Sequence, residues 1–170
     1  MKRIVLVRHG KSSWSDPDQD DRERPLNQRG RLAAPLMAAW LADHGIRPDH
    51  ILTTPALRSQ ETWEKMAPVF GTGPMPEVSE TLYMADPAQH RDTLRALPDG
   101  VETVFVIGHQ PGLGSFARKI ADGSEREAQS RAFTKFPTAA VAVFEGEFEW
   151  PDLKFGTLAF RHFVIPKDLV

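Results

Sequence analysis

A chain of 170 residues, 41% hydrophobic, is long enough for one core with both faces of a sheet covered and short for two, so a single domain over residues 1–170 is expected. The 21 basic and 23 acidic residues give a formal charge of -2, which excludes a broad electrostatic footprint for nucleic acid and leaves room only for a local cationic pocket. The absence of cysteine excludes a disulfide framework, a thiolate zinc site and a cysteine nucleophile, and fits a reducing compartment.

Ile4 to Gly10 reads I-V-L-V-R-H-G, an apolar run that does not alternate, as expected of a strand covered on both faces of a parallel sheet. In open α/β sheets ligands bind beyond the carboxyl ends of the strands, which puts Arg8 and His9 where chemistry falls, with Gly10 allowing a sharp turn. This run is too short for a signal-peptide core, and nothing elsewhere is apolar over the width of a bilayer. A cytoplasmic protein without membrane or nucleic-acid partners is expected. Lys11 to Arg24, rich in Ser, Asp and Arg, predicts a loop that walls a site, in which Trp14 needs either a core contact or a ligand. From Asn27, an N-cap, Leu32, Leu36, Ala39 and Trp40 recur at helical spacing as far as His44-Gly45, with a kink expected at Pro35.

His50 to Thr53 is a second short strand. In T-T-P-A-L-R, Thr54 is placed to cap a helix with Pro55 at its first position and Arg58 in its first turn. The helix dipole disfavours a cation there unless an anion lies between them, so Arg58 is either an ordinary surface arginine or an anion ligand. The helix is expected to run through Trp63 and Met66 to near Pro68. A loop over Phe70 to Pro76 follows, then a short strand or extended loop over Glu77 to Tyr83, and a helix over Pro87 to Leu97 with Leu94 and Leu97 inward. Thr103 to Gly108 repeats the continuous apolar run and delivers His109, followed by a helix with Leu113, Phe116, Ala117 and Ile120 on one face. Ala139 to Phe144 and Thr157 to Val164 read as edge strands. His44, His50, His90 and His162 fall at a helix end, a strand start, a helix surface and a late strand, where structural roles are expected.

If the three strands that end near Arg8, Thr53 and Gly108 are parallel neighbours, Arg8, His9, Arg58 and His109 converge on one spot at the carboxyl edge of the sheet. Two guanidinium forks match phosphate oxygens, and helix N-termini after Thr54 and after Gln110 add main-chain donors. Such a pocket suits a phosphoryl group and needs no metal. Phosphoryl transfer asks for an in-line nucleophile and for stabilisation of the equatorial oxygens. His9, kept neutral by flanking cations, is the expected nucleophile, and His109 the expected donor to the transferring group.

These residues resemble the signature of the histidine phosphatase superfamily, an R-H-G after the first strand, and within it the chain looks most like the small phosphohistidine phosphatases of the SixA type. T-T-P-A-L-R-S-Q-E-T is similar to the family segment with its second arginine, here Arg58, and V-I-G-H-Q-P-G-L to the segment with its second histidine, here His109. The resemblance spans roughly Lys2 to Phe144. It implies an α/β fold of the phosphoglycerate-mutase type, a mainly parallel sheet with helices on both faces. It further implies transient phosphorylation of His9, a phosphate pocket of Arg8, Arg58 and His109, and no metal or other cofactor. Many members carry a carboxyl group that protonates the leaving oxygen. Here Glu77, Glu80 and Asp86 are candidates and Glu80, in S-E-T-L-Y, is the choice, although members of the small subgroup manage without that acid. The stretch before Pro87 is too short for a large cap, so an open pocket is expected.

The substrate implied is a phosphorylated protein or a small phosphorylated molecule, with phosphohistidine in a protein preferred. Alternatives are a small-molecule phosphomonoesterase, a phosphoglycerate-mutase-like phosphotransferase and a non-enzymatic module that binds phosphorylated partners. A metallohydrolase using His9 and His109 as ligands is disfavoured, because adjacent arginines repel a cation. No G-x-G-x-x-G or P-loop spacing occurs.

Overall fold

A computed structural model of the chain describes residues 1–71 and 73–170, so residue 72 of the expected loop after Phe70 lies outside the described residues. A six-stranded sheet is built from β1 (Lys2–Arg8), β2 (His50–Thr53), β3 (Glu77–Val78), β4 (Thr103–Gly108), β5 (Val141–Gly146) and β6 (Ala159–Val164), in the order β3-β2-β4-β1-β5-β6. The first four of these neighbours run parallel, and β5 and β6 are antiparallel additions. The two continuous apolar runs, β1 and β4, are central. Ile4, Leu6, Val104 and Val106 face one core, while Val5, Val7, Phe105 and Ile107 face the other, which is why neither strand alternates in polarity.

Helices α1 (Gln28–Asp43) and α2 (Leu57–Met66) cover the face of Val5 and Val7. The opposite face is covered by α3 (Pro87–Arg95) and α4 (Gly112–Ile120), while the short α5 (Glu127–Ser130) lies against β6. Asn27 caps α1 as expected, its side chain accepting from the Gly30 N–H at 2.9 Å, and the helix ends at His44 with Gly45 in the left-handed region. The buried stripe differs from the expected one. Ala34, Met37, Ala38 and Leu41 face the sheet, while Leu32 is 64% exposed and Leu36, Ala39 and Trp40 lie on the flank. The inner face thus mixes small residues (Ala34, Ala38) with large ones (Met37, Leu41), a stripe offset from the one that the larger apolar side chains alone suggest. The helix continues unbroken through Pro35.

Of the two strands in the last third, both expected at an edge, only β6 lies at one. β5 is interior, paired to β1 on one side and β6 on the other, with Val141 and Val143 in one core and Ala142 and Phe144 in the other. Between α2 and α3 the described residues hold only a 3-10 turn (Ala67–Phe70), the two-residue β3 and a second 3-10 turn (Glu80–Leu82), so no cap domain is inserted there. Asp86 and Gln89 form a capping box at the start of α3, with Pro87 at its first turn.

Candidate active site

The site is assembled by strand register. Arg8 pairs with Gly108 and Thr53 with Ile107, so three parallel strands end almost level and the residues that follow, His9, His109 and Thr54, emerge beside one another. The His9 N–H donates to the Gly108 carbonyl at 3.1 Å, and the Ala139 N–H is shared between the carbonyls of Arg8 and His9, each at 3.0 Å. The His9 and His109 rings lie 5.1 Å apart between centroids. Arg58 reaches both, with Nε 3.4 Å from His9 Nε2 and Nη2 3.4 Å from His109 Nδ1. Arg8, His9, Arg58 and His109, all expected from the sequence, line one cavity of about 260 Å³ together with Lys11, Ser12, Trp14, Asp21 and Arg24.

Local chemistry explains these placements. Gly10 is not in the left-handed region; a side chain there would meet the backbone of Gly30, and one on Gly30 would meet the Lys11 backbone. Close approach of the turn after β1 to α1, rather than a sharp bend, requires both glycines. The Gly10 N–H donates to Thr62 Oγ1 at 3.0 Å, and that hydroxyl donates to the Arg58 carbonyl at 2.7 Å, so α2 is tied to the same turn. Thr54 is not the N-cap of α2, which starts from Ala56 without a side-chain cap. Its hydroxyl instead donates to Ser59 Oγ at 2.9 Å and accepts from His109 Nε2 at 2.7 Å. The main-chain donors expected after Gln110 are also engaged: Leu113 N–H donates to the His109 carbonyl at 3.0 Å and Gly114 N–H to Gln110 Oε1 at 2.7 Å.

Hydrogen-bond partners set the imidazole tautomers. His9 Nδ1 lies 2.7 Å from the Gly10 carbonyl, which can only accept, so Nδ1 carries the proton and the Nε2 lone pair faces the cavity. Burial, opposed by that hydrogen bond and reinforced by Arg58, Arg8 and Arg24, lowers the His9 pKa to about 4. His109 is lowered to about 3 by burial, then by His9 and Arg58, and with Nε2–H committed to Thr54 its Nδ1 is left facing Arg58. Both rings are therefore neutral near neutral pH. The Arg8 guanidinium pKa is lowered by burial and by Arg58; one nitrogen donates to the Phe136 carbonyl at 3.0 Å, while its buried Nε has no partner among the described residues.

The carboxylate in the pocket is Asp21, not Glu80. Glu80 does not line the cavity: its side chain is 70% exposed and accepts from Arg22 Nη1 at 2.9 and 3.1 Å. Glu77 pairs with His50 and Asp86 caps α3. Asp21 accepts from Arg58 Nη2 at 3.0 Å, from Arg24 Nη2 at 3.1 Å and from the Tyr83 hydroxyl. Although partial burial opposes ionisation, bonds from Tyr83, Arg24 and Arg58 hold its carboxyl well below the usual carboxylate range, and burial together with Asp21 raises the tyrosine. The signal for this cluster was a polar loop rich in arginine and aspartate and the single tyrosine of the chain. Trp14 finds neither a core contact nor burial; it is 73% exposed and stacks on Arg24, whose guanidinium lies 3.6 Å from the ring centroid. His90, expected at a helix surface, is buried and stacked on Phe116, with Nδ1 bonded to the carbonyl of Asp86, the N-cap of α3, at 2.9 Å. Among the described residues no group of three or more His, Cys, Asp or Glu is placed to hold a metal ion.

Fold and pocket together define an α/β protein with a histidine and arginine cluster at the carboxyl ends of its parallel strands. The chain belongs to the histidine phosphatase superfamily, whose branch 1 model matches residues 4–83. An uncharacterized protein of Mycobacterium tuberculosis is 30% identical over 163 residues, 95% of this chain and 100% of the relative. The phosphohistidine phosphatase SixA of Escherichia coli is 28% identical over 153 residues, 87% of this chain and 91% of its own length. The solved structure of the protein histidine phosphatase SixA complexed with tungstate superimposes with a TM-score of 0.81 at 25% identity, over 99% of both chains. Membership of this family supports phosphatase activity for the chain.

Proposed function

We propose that the chain, acting as one domain and without a metal, removes the phosphoryl group from a phosphorylated histidine of a protein by way of a phosphohistidine on His9. The observation that carries this reading is the hydrogen bonding of His9: Nδ1–H rests on the Gly10 carbonyl, which leaves the Nε2 lone pair facing the cavity, where it accepts a long 3.4 Å bond from Arg58 Nε. In the first step that lone pair forms the bond to phosphorus while the bond from phosphorus to the leaving nitrogen breaks, and the departing imidazole keeps the electron pair and takes a proton from solvent. Arg8 and Arg58 bind the equatorial oxygens, and the negative charge of the incoming group favours protonation of His109 Nδ1, which then donates to it. In the second step water attacks phosphorus, the bond to His9 Nε2 breaks, and inorganic phosphate leaves with the proton balance closed by solvent.

Preference for a nitrogen leaving group rests on the carboxylates. Asp21 is held ionised by three donors and Glu80 is paired with Arg22, so neither is poised to protonate an alkoxide, a service worth roughly a hundredfold to ten-thousandfold. The similarity to the Escherichia coli phosphohistidine phosphatase SixA supports this direction, and the tungstate bound in the solved SixA structure supports only an oxyanion pocket. Rapid quenching with labelled substrate should trap base-stable, acid-labile phosphate on His9 and none in His9→Ala. kcat/KM should be high for a phosphohistidine peptide and for nitrophenyl phosphate and low for alkyl phosphates, with Glu80→Gln changing the good substrates little. Sugar or alkyl phosphates as the best substrates, with that activity lost in Glu80→Gln, would overturn the assignment.

A further inference from the structure

A second and larger cavity, about 450 Å³, opens beside the catalytic pocket and shares Lys11 and Thr138 with it. The ridge between the two is the segment from Phe136 to Ala139. Its Phe136 carbonyl accepts from the Arg8 side chain and its Ala139 N–H donates to the carbonyls of Arg8 and His9, so the wall of the second cavity is the support of the first. Lys11, Arg29, Lys135 and Lys167 line this cavity, all four are exposed, and among the described residues none of them is within 4 Å of a carboxylate. The remaining cation, Arg131, is neutralised by Asp168 at 2.8 Å. Between the charges lie Ala33, Phe163 and Ile165. Four uncompensated cations on one groove of a chain whose net charge is -2 form a local positive patch on an otherwise balanced surface.

We propose that this groove docks the acidic segment of the polypeptide that carries the phosphoryl group, taking its carboxylates on Arg29, Lys135 and Lys167 and an apolar side chain against Ile165, while Lys11 marks the passage to the catalytic pocket. This rests on the reading of the site as a phosphohistidine phosphatase for proteins. Charge complementarity identifies the occupant as anionic, and the apolar floor between the cations favours a polypeptide over a polynucleotide, whose backbone offers nothing to bury there.

The test compares wild type with the double variant Lys135→Glu, Lys167→Glu on three substrates: a phosphohistidine peptide with Asp and Glu flanks, the same peptide with Lys flanks, and nitrophenyl phosphate. The acidic peptide should be preferred by wild type, and the variant should lose on the order of tenfold in kcat/KM for it, mainly through KM, with nitrophenyl phosphate little changed. Added salt should erode the acidic preference in wild type and not the nitrophenyl phosphate rate. Equal rates for the two peptides in both proteins overturn the groove proposal while leaving the phosphohistidine reading intact. Turnover of nitrophenyl phosphate with neither peptide hydrolysed overturns that reading and the groove with it. An oligonucleotide that inhibits wild type more strongly than the unphosphorylated acidic peptide, and loses this effect in the variant, overturns the choice of a polypeptide.

Discussion

Arg58 and Asp21 meet twice, through an ion pair at 3.0 Å to the carboxylate and a hydrogen bond at 2.7 Å to the main-chain carbonyl of the same residue. The dipole conflict of an arginine in a helix first turn is thus met from within the chain, by a loop residue on the rim of the pocket. That carboxylate also repels any oxyanion approaching Arg58.

Asp21→Asn keeps the main-chain contact and removes one negative charge. Vanadate and inorganic phosphate should inhibit this variant several-fold more strongly than wild type, a change worth about 1 kcal/mol. Inhibition constants measured at low and high ionic strength check this; weaker inhibition in the variant would show that Asp21 acts by orienting Arg58 and not by competing for it.

Arg8→Ala and Arg58→Ala should each lower kcat/KM by about a hundredfold, roughly 3 kcal/mol, as expected for loss of an aligned donor in the transition state. Lysine should restore neither, because it lacks the planar fork. Steady-state kinetics on nitrophenyl phosphate decide the matter, and wild-type turnover in Arg58→Ala would place that residue outside the chemistry.

Stability should fall on the acid side. His9 has a pKa of about 4 in the fold against an ordinary 6.5, so between these values the unfolded chain binds the extra proton. Its contribution is fully present above about pH 6.5 and is lost as pH falls through about 4, with His109 extending the loss toward about 3. Urea titrations across this range should show a shallower decline in His9→Asn than in wild type, and parallel declines would refute the linkage.

Gly30→Ala should destabilise the fold by about 1–3 kcal/mol and depress kcat, because the new methyl meets the Lys11 backbone next to the turn that carries His9. Gly45→Ala, at a left-handed helix end with open space around it, should cost stability without touching kcat. Equal kcat losses in both would remove the link between the Gly10 turn and the nucleophile.

Much of the site was legible because strands announce themselves by continuous apolar runs and their ends by an abrupt change to polar residues. Arg8, His9 and His109 stand at strand ends by that rule, and β2 and β4 have the expected bounds, whereas β1 starts at Lys2, two residues before the apolar run, and ends at Arg8. What escaped was whatever depends on contacts between distant segments. The loop from Lys11 to Arg24 reads as a wall of the site and does line it, but without periodicity nothing singles out Asp21 and Arg24 within it, and only the fold brings Tyr83 to them. Thr54 reads locally as a helix cap, yet His109, 55 residues away, claims its hydroxyl. The inner face of α1 escaped because Ala34 and Ala38, which weigh little on a scale of hydrophobicity, share it with Met37 and Leu41 while the larger Leu32 and Leu36 do not.

The level ends of β1, β2 and β4 have a kinetic corollary. The three segments that present them are far apart in sequence, and no single hairpin or helix pair contains two of the three, so no local unit brings His9, Arg58 and His109 together. Catalytic competence is a property of the completed central sheet and should appear during refolding only in the slowest phase that reports sheet formation, after the local helices have formed. The same arrangement makes turnover a faithful probe of global unfolding, since any opening that separates β4 from its neighbours dismantles the pocket from both sides at once.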